Sequence, residues 1–457
     1  MASLFSIRPG FRPGVLDAIA VLTIVAVAIV ALLTFRDYGL GWDDFTHAEM
    51  GDLLLALYGS GFQDRRAFSF VNLYLYGGGF DMAAALLAKI LPFDLFEVRR
   101  LAGALVGVVG LIVVWRLGRR IGGPLNGAIA TVLLATCPLY YGHMFINPKD
   151  SPFAVAMALL LLGLVRAFQE YPRPAPSTTL LFGMGLGFTV GSRIMGAMAA
   201  LYAIAPQLVL LRADAAAEGL AGALRAFGRF VLALLPGLVV AYLLMGLVWP
   251  WSVLAPLNPF RAAAYFEHFF ETPWRELYAG DLISVPDMPW TYLPTLLGLK
   301  LPELFVALAL AGAALAGLRA VRSSVPVRER AVLLLLGAVF VPILLTLATR
   351  PALYNGIRHF VFLLPPMAVL GGLSGAWILE RLSRRSAVAA CAGGAVILAG
   401  VLSPVVEIVR LHPLEYTHFN RIAGGVKGAD GRYMLDYWGL SFKEAADELR
   451  ARLAAEG

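Results

Sequence analysis

Apolar segments of about 18 residues or more recur along most of the chain, separated by short clusters of charged residues. This is the length that an α-helix needs to cross the roughly 30 Å hydrocarbon core of a membrane. In that core the backbone satisfies its hydrogen bonds only in helices or closed barrels, and these segments are too long for barrel strands. The pattern therefore predicts an all-α polytopic membrane protein. We place eleven spans at roughly 15–35, 98–116, 121–140, 152–168, 177–192, 194–211, 229–249, 302–318, 331–348, 359–380 and 387–409.

Composition and charge agree with this assignment. The 457 residues are 59% hydrophobic and 15% charged, and the mean hydropathy is +0.76. A net charge of +7 could fit a nucleic-acid binder, but Lys and Arg cluster in alternate turns between the spans, as the positive-inside rule requires. We therefore expect no nucleic-acid partner and a multi-pass position in the plasma (inner) membrane. The N-terminus is expected in the cytoplasm and the C-terminus outside it.

Loop length differs between the two faces. The turns assigned to the cytoplasm are short, and three extracytoplasmic segments are long: 36–97, 250–301 and 410–457. Long ordered loops on one face of a compact bundle usually carry function. We predict a transmembrane catalytic domain over 1–409, with an active-site face formed by the first two long loops, and a short tail that ends in a helix. Two juxtamembrane helices are expected in the first loop, at 45–58 and 80–91.

The sequence Gly-Trp-Asp-Asp-Phe-Thr-His follows the first span on the extracytoplasmic side. Its adjacent carboxylates, Asp43 and Asp44, repel each other, which raises the proton affinity of one of them and suits a general base. On a helix, His47 would share a face with both. The alternative is structural, because either aspartate can be the N-cap of an interfacial helix.

A second polar turn on the same face has the sequence Asn-Pro-Lys-Asp at 147–150. Lys149 and Asp150 bring a cation and a carboxylate to this face, and a purely structural turn needs neither. However, Pro152 suits the first position of a helix, so Asp150 or Ser151 can simply cap the next span. Function and capping are equal alternatives at this turn.

Arginines at the ends of spans are candidate phosphate ligands. Arg358 opens the tenth span in the sequence Tyr-Asn-Gly-Ile-Arg-His at 354–359, and a guanidinium offers a phosphate paired donors and a permanent charge. It can equally be a snorkelling arginine at the lipid headgroups. Arg193 lies between two apolar spans, where ionisable groups usually face a cavity or a partner. The aromatic residues of loop 250–301 are typical of a membrane interface, or of a lid over a sugar.

Taken together, these segments resemble the GT-C glycosyltransferases, specifically the branch with protein O-mannosyltransferases and bacterial aminoarabinose lipid A transferases. The resemblance covers essentially the whole chain. The eukaryotic mannosyltransferases typically have Asp-Glu in the first motif, and some relatives have longer soluble domains after the last span. Both differences concern the acceptor more than the reaction. Four segments carry the resemblance: Asp43-Asp44, Asn-Pro-Lys-Asp at 147–150, Asp-x-Pro-Trp at 287–290 and Tyr-Asn-Gly-x-Arg-His at 354–359.

The resemblance implies an inverting glycosyltransferase that moves a sugar from a polyprenyl-phosphate-linked donor to an acceptor hydroxyl at the extracytoplasmic face. Asp44 would take the proton of that hydroxyl. Glycan, lipid and protein acceptors are alternatives. The residues that it implies are Asp44, Asp43 and Asp150 for catalysis, Lys149, Arg358 and Arg193 for the donor phosphate, and His47, Tyr354, Asn355, His359, Asp287 and Trp290 for substrate binding.

The sequence does not require a cofactor. Some GT-C relatives use a divalent metal, so Mg, Mn or Zn bound by Asp44, His47 and Asp150 is an alternative, although no ligand spacing is compelling. The alternative functions are a transporter or flippase of lipid-linked sugars and a non-catalytic binder of them. Many secondary transporters show inverted repeats or broken helices in matching halves, and we find neither pattern in the sequence.

Overall fold

The computed structural model describes residues 12–267, 274–321 and 327–456. It consists almost entirely of helices, which confirms the predicted fold class. In chain order, the helices are α1 (Pro13–Thr34), α2 (Asp44–Gly59), α3 (Gly79–Ala88), α4 (Leu95–Ala135), α5 (Pro138–Ile146), α6 (Asp150–Gln169), α7 (Pro176–Ser192), α8 (Ala199–Tyr202), α9 (Ile204–Val248), α10 (Asn258–Glu267), α11 (Tyr292–Lys300), α12 (Glu303–Val321), α13 (Leu333–Thr349), α14 (Leu364–Ser383), α15 (Ala387–Leu411), α16 (Gly425–Ala429) and α17 (Phe442–Glu456).

Each predicted span lies on a helix. Eight helical runs of the described residues are long and apolar enough to cross a membrane. Two of these runs contain two predicted spans each: α4, and the run Ile194–Val248 that includes α8 and α9. Helix α7 has 17 residues and is slightly shorter than the eight. The eleven predicted spans are accounted for when the two long runs are divided and α7 is included.

Glycines divide the two long runs. In α4, Gly123 has a φ of 82°, a left-handed value that other residues rarely adopt. Pro124 follows, and proline fits the first turn of a new helix because that turn does not need its missing amide hydrogen. Gly219 has a φ of 73° and interrupts α9 in the same way. Both breaks lie at or close to a boundary between two predicted spans, where the chain must reverse direction.

Helices α6 and α14 form the centre of the bundle. In the apolar stretches that qualify as spans, 83% of the α6 residues and 89% of the residues in the α14 run are buried, compared with 11% for α15. Helix α14 packs along α4 and α12. A β-carbon at Gly312 of α12 would lie only 1.8 Å from the carbonyl oxygen of Leu370 in α14. Small residues therefore allow the close approach by which helices associate in lipid.

The three long loops meet at one end of the bundle, which we call the loop face. Helices α2, α3 and α17 lie in these segments, as predicted. A feature that was not predicted is an antiparallel hairpin in the second loop, whose two turn residues have φ values of 56° and 98°, as a type I′ turn requires. Tyr278 of the hairpin also forms a bridge with Tyr433 of the tail. The strands are β1 (Arg275–Tyr278) and β2 (Asp281–Ser284).

Replacement of Gly312 by valine should lower the thermal unfolding midpoint of the purified protein in detergent, because the new side chain overlaps the backbone of α14. Overpacking of this kind costs about 1–3 kcal/mol, and an overlap with backbone should reach the upper end. Gly317 of the same helix provides the control, since a β-carbon there would have nothing within 4 Å. Equal midpoints for G312V and G317V would contradict this packing.

Candidate active site

Asp44 is buried in an ion pair. It is 3% exposed, and its carboxylate accepts hydrogen bonds from both terminal nitrogens of Arg100, with Nη1 3.0 Å from Oδ1. The backbone N–H of Gly41 donates to Oδ2 at 2.7 Å. Arg100 also donates to the carbonyl oxygen of Gly39 at 2.7 Å. Because Arg100 lies near the beginning of α4, these bonds attach the Gly-Trp-Asp-Asp segment to that helix.

Asp43 has different surroundings. It is exposed and occupies the N-cap position of α2, but its side chain makes no capping hydrogen bond. Its negative charge acts on Lys149 and Arg358 instead. Successive side chains at the start of a helix diverge by roughly 100°, so adjacent aspartates can serve different purposes. Asp44 is buried in an ion pair, whereas the charge of the exposed Asp43 acts on the two cations.

His47 belongs to a second buried charge cluster, which joins α2 and α3 to α4. Its Nδ1 lies 2.8 Å from Oδ2 of Asp81, and Arg99 donates to Oδ1 of the same carboxylate at 2.6 Å. The three side chains are 2%, 4% and 1% exposed. Burial lowers the pKa of His47, Asp81 opposes this shift, and Lys149 adds to it. The imidazole is therefore neutral at pH 7.

The Asn-Pro-Lys-Asp turn is held by Asn147. Its Oδ1 accepts hydrogen bonds from the backbone N–H groups of Lys149 at 3.1 Å and Asp150 at 2.7 Å, and its Nδ2 donates to the Asp150 carboxylate at 2.9 Å. The other carboxylate oxygen lies 2.5 Å from Nη2 of Arg193. Asn147 thus provides the cap that the sequence suggested for Asp150. Asp150 instead orients Arg193.

Lys149 is a half-buried cation beside an aromatic ring. Its Nζ lies 4.2 Å from the ring centroid of Tyr76, and the guanidinium carbon of Arg193 lies 5.7 Å from the same centroid. Burial lowers the pKa of Lys149 to about 8; Arg193 acts in the same direction and Asp43 opposes both. The ammonium is therefore charged at neutral pH and easily deprotonated above it.

The position of this ring follows from backbone contacts of the first loop. The N–H of Gly77 donates to the carbonyl oxygen of Ser192 at 3.3 Å, and that of Gly78 donates to Val248 at 3.0 Å. These bonds attach the loop to the ends of α7 and α9. Arg193 follows Ser192 directly, which explains why it reaches the same ring.

Arg358 is the second cation that faces Asp43. It is 9% exposed, and its guanidinium carbon lies 5.0 Å from the ring centroid of Tyr354 and 5.3 Å from that of Trp438. The ring of His359 packs against Tyr354 with 4.9 Å between centroids. Within the described residues, neither Arg358 nor Lys149 forms an ion pair with a carboxylate. Both cations are thus available to an anion.

The unpredicted hairpin positions the Arg358 segment. Glu276 of β1 accepts hydrogen bonds from the backbone N–H groups of Asn355 at 2.8 Å and Gly356 at 3.1 Å, and from the hydroxyl of Tyr292 at 2.8 Å. Asn355 and Gly356 have φ values of 57° and 65°, so the chain turns sharply here. The buried carboxylate holds this turn, and the turn directs Arg358 inward.

Residues of the tail complete the site, although the sequence analysis placed the tail outside the predicted catalytic domain, 1–409. The hydroxyl of Tyr437 lies 3.1 Å from Nε2 of His143, and the carbonyl of Trp438 accepts a hydrogen bond from the N–H of Trp42 at 3.2 Å. Asp436 holds this segment by accepting from three backbone N–H groups at 2.8–3.1 Å. Tyr437 and Trp438 therefore form one wall of the site.

A further set of contacts attaches the tail to the first loop. Glu415, which is fully buried, accepts a hydrogen bond from the hydroxyl of Tyr38 at 3.0 Å. His412 lies 2.7 Å from Glu415 and 3.0 Å from Asp37. Its hydrogen bond to Glu415 raises the pKa of His412 to about 9, so the imidazolium bridges two carboxylates at neutral pH.

The contacts above include all the predicted site residues except three. Among the described residues the side chain of Asp43 has no hydrogen bond or ion pair, and it acts on the site through its charge. Asp287 and Trp290 are exposed, and the ion pairs and ring contacts of the site, as far as the chain is described, do not include them. Sequence reasoning missed Arg99 and Arg100, although a signal was present. Both lie inside the predicted span 98–116, and ionisable groups within a span usually have a buried partner. No comparable signal marks Tyr76 or Glu276, because their roles depend on loop conformation.

In the described parts of the chain, no three His, Cys, Asp or Glu side chains come close enough together to hold a metal ion. The candidate ligands have other partners: Asp44 and Asp150 are each paired with an arginine, and His47 is bonded to a third carboxylate. These side chains do not form a ready-made metal site. A divalent metal stays a prediction from the resemblance.

Replacement of Asp44 by asparagine should destabilise the protein, because it leaves the buried charge of Arg100 without compensation. Breaking such a buried pair costs about 3–5 kcal/mol. Thermal unfolding of purified D44N in detergent measures the loss. The control is D43N, which removes an exposed carboxylate and should leave the midpoint almost unchanged. Similar losses in the two variants would refute a specific supporting role for Asp44.

Comparison with known families and structures gives independent information. A family model described as dolichyl-phosphate-mannose-protein mannosyltransferase matches residues 79–249. This segment runs from the beginning of α3 to the end of α9 and includes Lys149, Asp150 and Arg193. A search of curated protein sequences found no match.

Solved structures with a similar fold come from bacteria and archaea. ArnT from Cupriavidus metallidurans bound to undecaprenyl phosphate has a TM-score of 0.52 and 19% sequence identity, over 85% of this chain and 65% of ArnT. The Archaeoglobus fulgidus oligosaccharyltransferase in its apo form has a TM-score of 0.54 and 12% identity, over 87% of this chain and 56% of that protein. The Archaeoglobus fulgidus oligosaccharyltransferase AglB in complex with an inhibitory peptide and a dolichol-phosphate has a TM-score of 0.51 and 13% identity, over 91% and 56% of the two chains.

The chain spans 56–65% of the length of these proteins. At such identities the similarity concerns the fold. It confirms the predicted fold, and it agrees with the apolar helices found in the structure. The chain is therefore a multi-pass membrane protein with the same fold as these proteins.

Proposed function

We propose that this protein is an inverting glycosyltransferase that transfers a sugar from a polyprenyl-phosphate-linked donor to an acceptor hydroxyl. The observation that carries the proposal is a pair of cations, Lys149 and Arg358, that lie against aromatic rings and lack a carboxylate partner in the described chain. The exposed carboxylate of Asp43 lies near enough for its charge to act on both. A general base and an anion site at one end of a membrane bundle are the two requirements of this reaction. The family match and the lipid phosphates bound by ArnT and AglB support the same donor class.

The proposed chemistry is a single displacement at the anomeric carbon. The acceptor oxygen attacks that carbon while its proton passes to Asp43. The bond between the anomeric carbon and the phosphate oxygen breaks on the opposite side, and its electron pair stays on the phosphate. The products are a glycoside of inverted configuration, polyprenyl phosphate and protonated Asp43.

The cations act on the leaving group. Negative charge grows on the phosphate as the bond breaks, and Lys149 and Arg358 stabilise it more strongly in the transition state than in the ground state. Arg193 is oriented by Asp150 and stabilises the same charge from behind Tyr76. Asp44 and His47 keep α2 in place and take no part in proton transfer.

We place the reaction at the extracytoplasmic surface of the plasma membrane. The support is the distribution of basic residues, which assigns the loop face to that side. The donor's polyprenyl chain would remain in the bilayer while its phosphate reaches the loop face. Donor and acceptor then react within one complex, which increases their effective concentration. The acceptor is a hydroxyl of a glycan, lipid or protein.

Replacement of Asp43 by asparagine should reduce transfer by roughly 10²–10⁴-fold, because the proton acceptor is lost while the fold and the cations remain. The assay follows sugar transfer from a polyprenyl-phosphate donor by mass spectrometry, and donor affinity is measured separately. E49Q, which removes another exposed carboxylate from α2, is the control. Normal turnover by D43N would exclude Asp43 as the base and would favour a flippase or a binder.

Affinity for polyprenyl phosphate should depend on pH through Lys149. The ammonium is protonated below its pKa of about 8 and binds the phosphate there, so affinity should fall as the pH rises above that value, by roughly tenfold per unit while one proton is linked to binding. Arg193, Asp43, Asp81 and Arg358 are the charged groups that act on this ammonium. K149R should remove the dependence, since arginine stays charged. A pH break that persists in K149R would assign it to another group.

A further inference from the structure

Lys300 is a buried cation separate from the candidate phosphate site. It is the last residue of α11 and is 1% exposed, and its Nζ has no hydrogen-bond acceptor among the described residues. The ring centroid of Phe419 lies 4.5 Å from that nitrogen. Burial lowers the pKa of Lys300 to about 7, while Glu276 opposes the shift. A dry ammonium without an acceptor is unfavourable, and it indicates a site for an anion.

A second unpartnered side chain belongs to the tail segment that packs against Lys300: His418 precedes Phe419, and the next residue, Asn420, is hydrogen-bonded to Leu299 and Leu301 on either side of the lysine. His418 is 3% exposed, and neither of its ring nitrogens has a hydrogen-bond partner within the described parts of the chain. Burial, and after it the charge of Lys300, lower its pKa to about 4. The ring is thus neutral at pH 7 and can donate one N–H. An ammonium and an imidazole N–H together match the two oxygens of a carboxylate.

No carboxylate of the described residues is paired with Lys300. Glu276 is the acid whose charge acts on Lys300. Its oxygens already accept hydrogen bonds from the hydroxyl of Tyr292 and from the backbone N–H groups of Asn355 and Gly356. It stabilises the turn before Arg358 and makes no ion pair within 4 Å of the lysine.

Lys300 lies next to the segment that carries Arg358 of the phosphate site. A β-carbon at Gly356 would lie 3.7 Å from Cδ of Lys300 and 3.8 Å from Cε1 of Tyr437. Gly356 therefore separates the lysine from the wall of the site, and Arg358 follows two residues later. Lys300 therefore lies on the buried side of the segment that carries Arg358, whereas Asp43 is exposed.

We infer that Lys300 and His418 form a second anion subsite, which binds a carboxylate on the sugar of the donor, as in a hexuronic acid. The inference rests on the proposed function, because the sugar must be attached to a phosphate held by Lys149 and Arg358. The carboxylate could also belong to the acceptor, and the test separates the two sources.

The test compares the affinity of the purified protein for polyprenyl phosphate, its hexose conjugate and its hexuronic acid conjugate. The hexuronic acid conjugate should bind about tenfold or more tightly than the hexose conjugate, because it adds a charge-assisted hydrogen bond in a buried place. K300M should remove this difference and leave the affinity for polyprenyl phosphate unchanged. K427M, which changes an exposed lysine of α16, is the control and should keep the difference.

Equal affinities of wild type for the two conjugates would overturn the subsite. So would a K300M variant that binds all three ligands equally less well, since Lys300 would then support only the fold; its thermal unfolding midpoint checks this. A preference for uronic acid in the acceptor, tested with the hexose donor, would overturn the assignment to the donor. Failure of wild type to bind polyprenyl phosphate at all would contradict the proposed function as well.

Discussion

The structure of the loop face depends on the buried ion pair between Arg100 and Asp44. It joins the first residue of α2 to the beginning of α4, the helix that also packs against the bundle centre. Two charges removed from water are stable only when each has its full set of partners, so this pair fixes both position and rotation of α2. With Asp44 turned inward, Asp43 stays exposed, and its charge acts on Lys149 and Arg358. The buried carboxylate of Asp44 thus determines the position of Asp43, the base that we propose.

The remaining charges of the site differ in how far they are compensated. Arg193 and Arg99 each have a buried carboxylate within 2.6 Å, which fixes them in place. Lys149 and Arg358 lie against aromatic rings instead, at 4.2 Å and 5.0 Å. An aromatic face attracts a cation but leaves its hydrogen-bond donors free. Arginines paired with a carboxylate therefore support the structure of the site, and the cations packed against aromatic rings are those that we assign to the donor phosphate.

The lengths of the apolar segments were sufficient to predict the membrane spans, because these depend on the average polarity of long segments. Local patterns, amphipathic for α2 and α3 and a capping box for α17, predicted the helices of the loops and the tail. The four polar segments that carry the resemblance also identified most of the cluster around Asp43. The role of each individual side chain could not be predicted from the sequence. The choice between Asp43 and Asp44 depends on the exact start of α2, and the contacts of Tyr76 and Tyr437 depend on loops that pack against distant helices. Asp287 and Trp290 were chosen from a motif alone, and the structure leaves them exposed.

The attachment of the tail to the first loop has a consequence for biosynthesis. Tyr38 and Glu415 lie 377 positions apart, and every intervening span must enter the membrane before their hydrogen bond can form. The first loop is therefore translated and placed at the membrane surface long before the tail residues that enclose it. During translation the nascent chain has neither the aromatic wall of Tyr437 and Trp438 nor the bridge through His412. The candidate site is thus complete only when insertion of the whole bundle is finished.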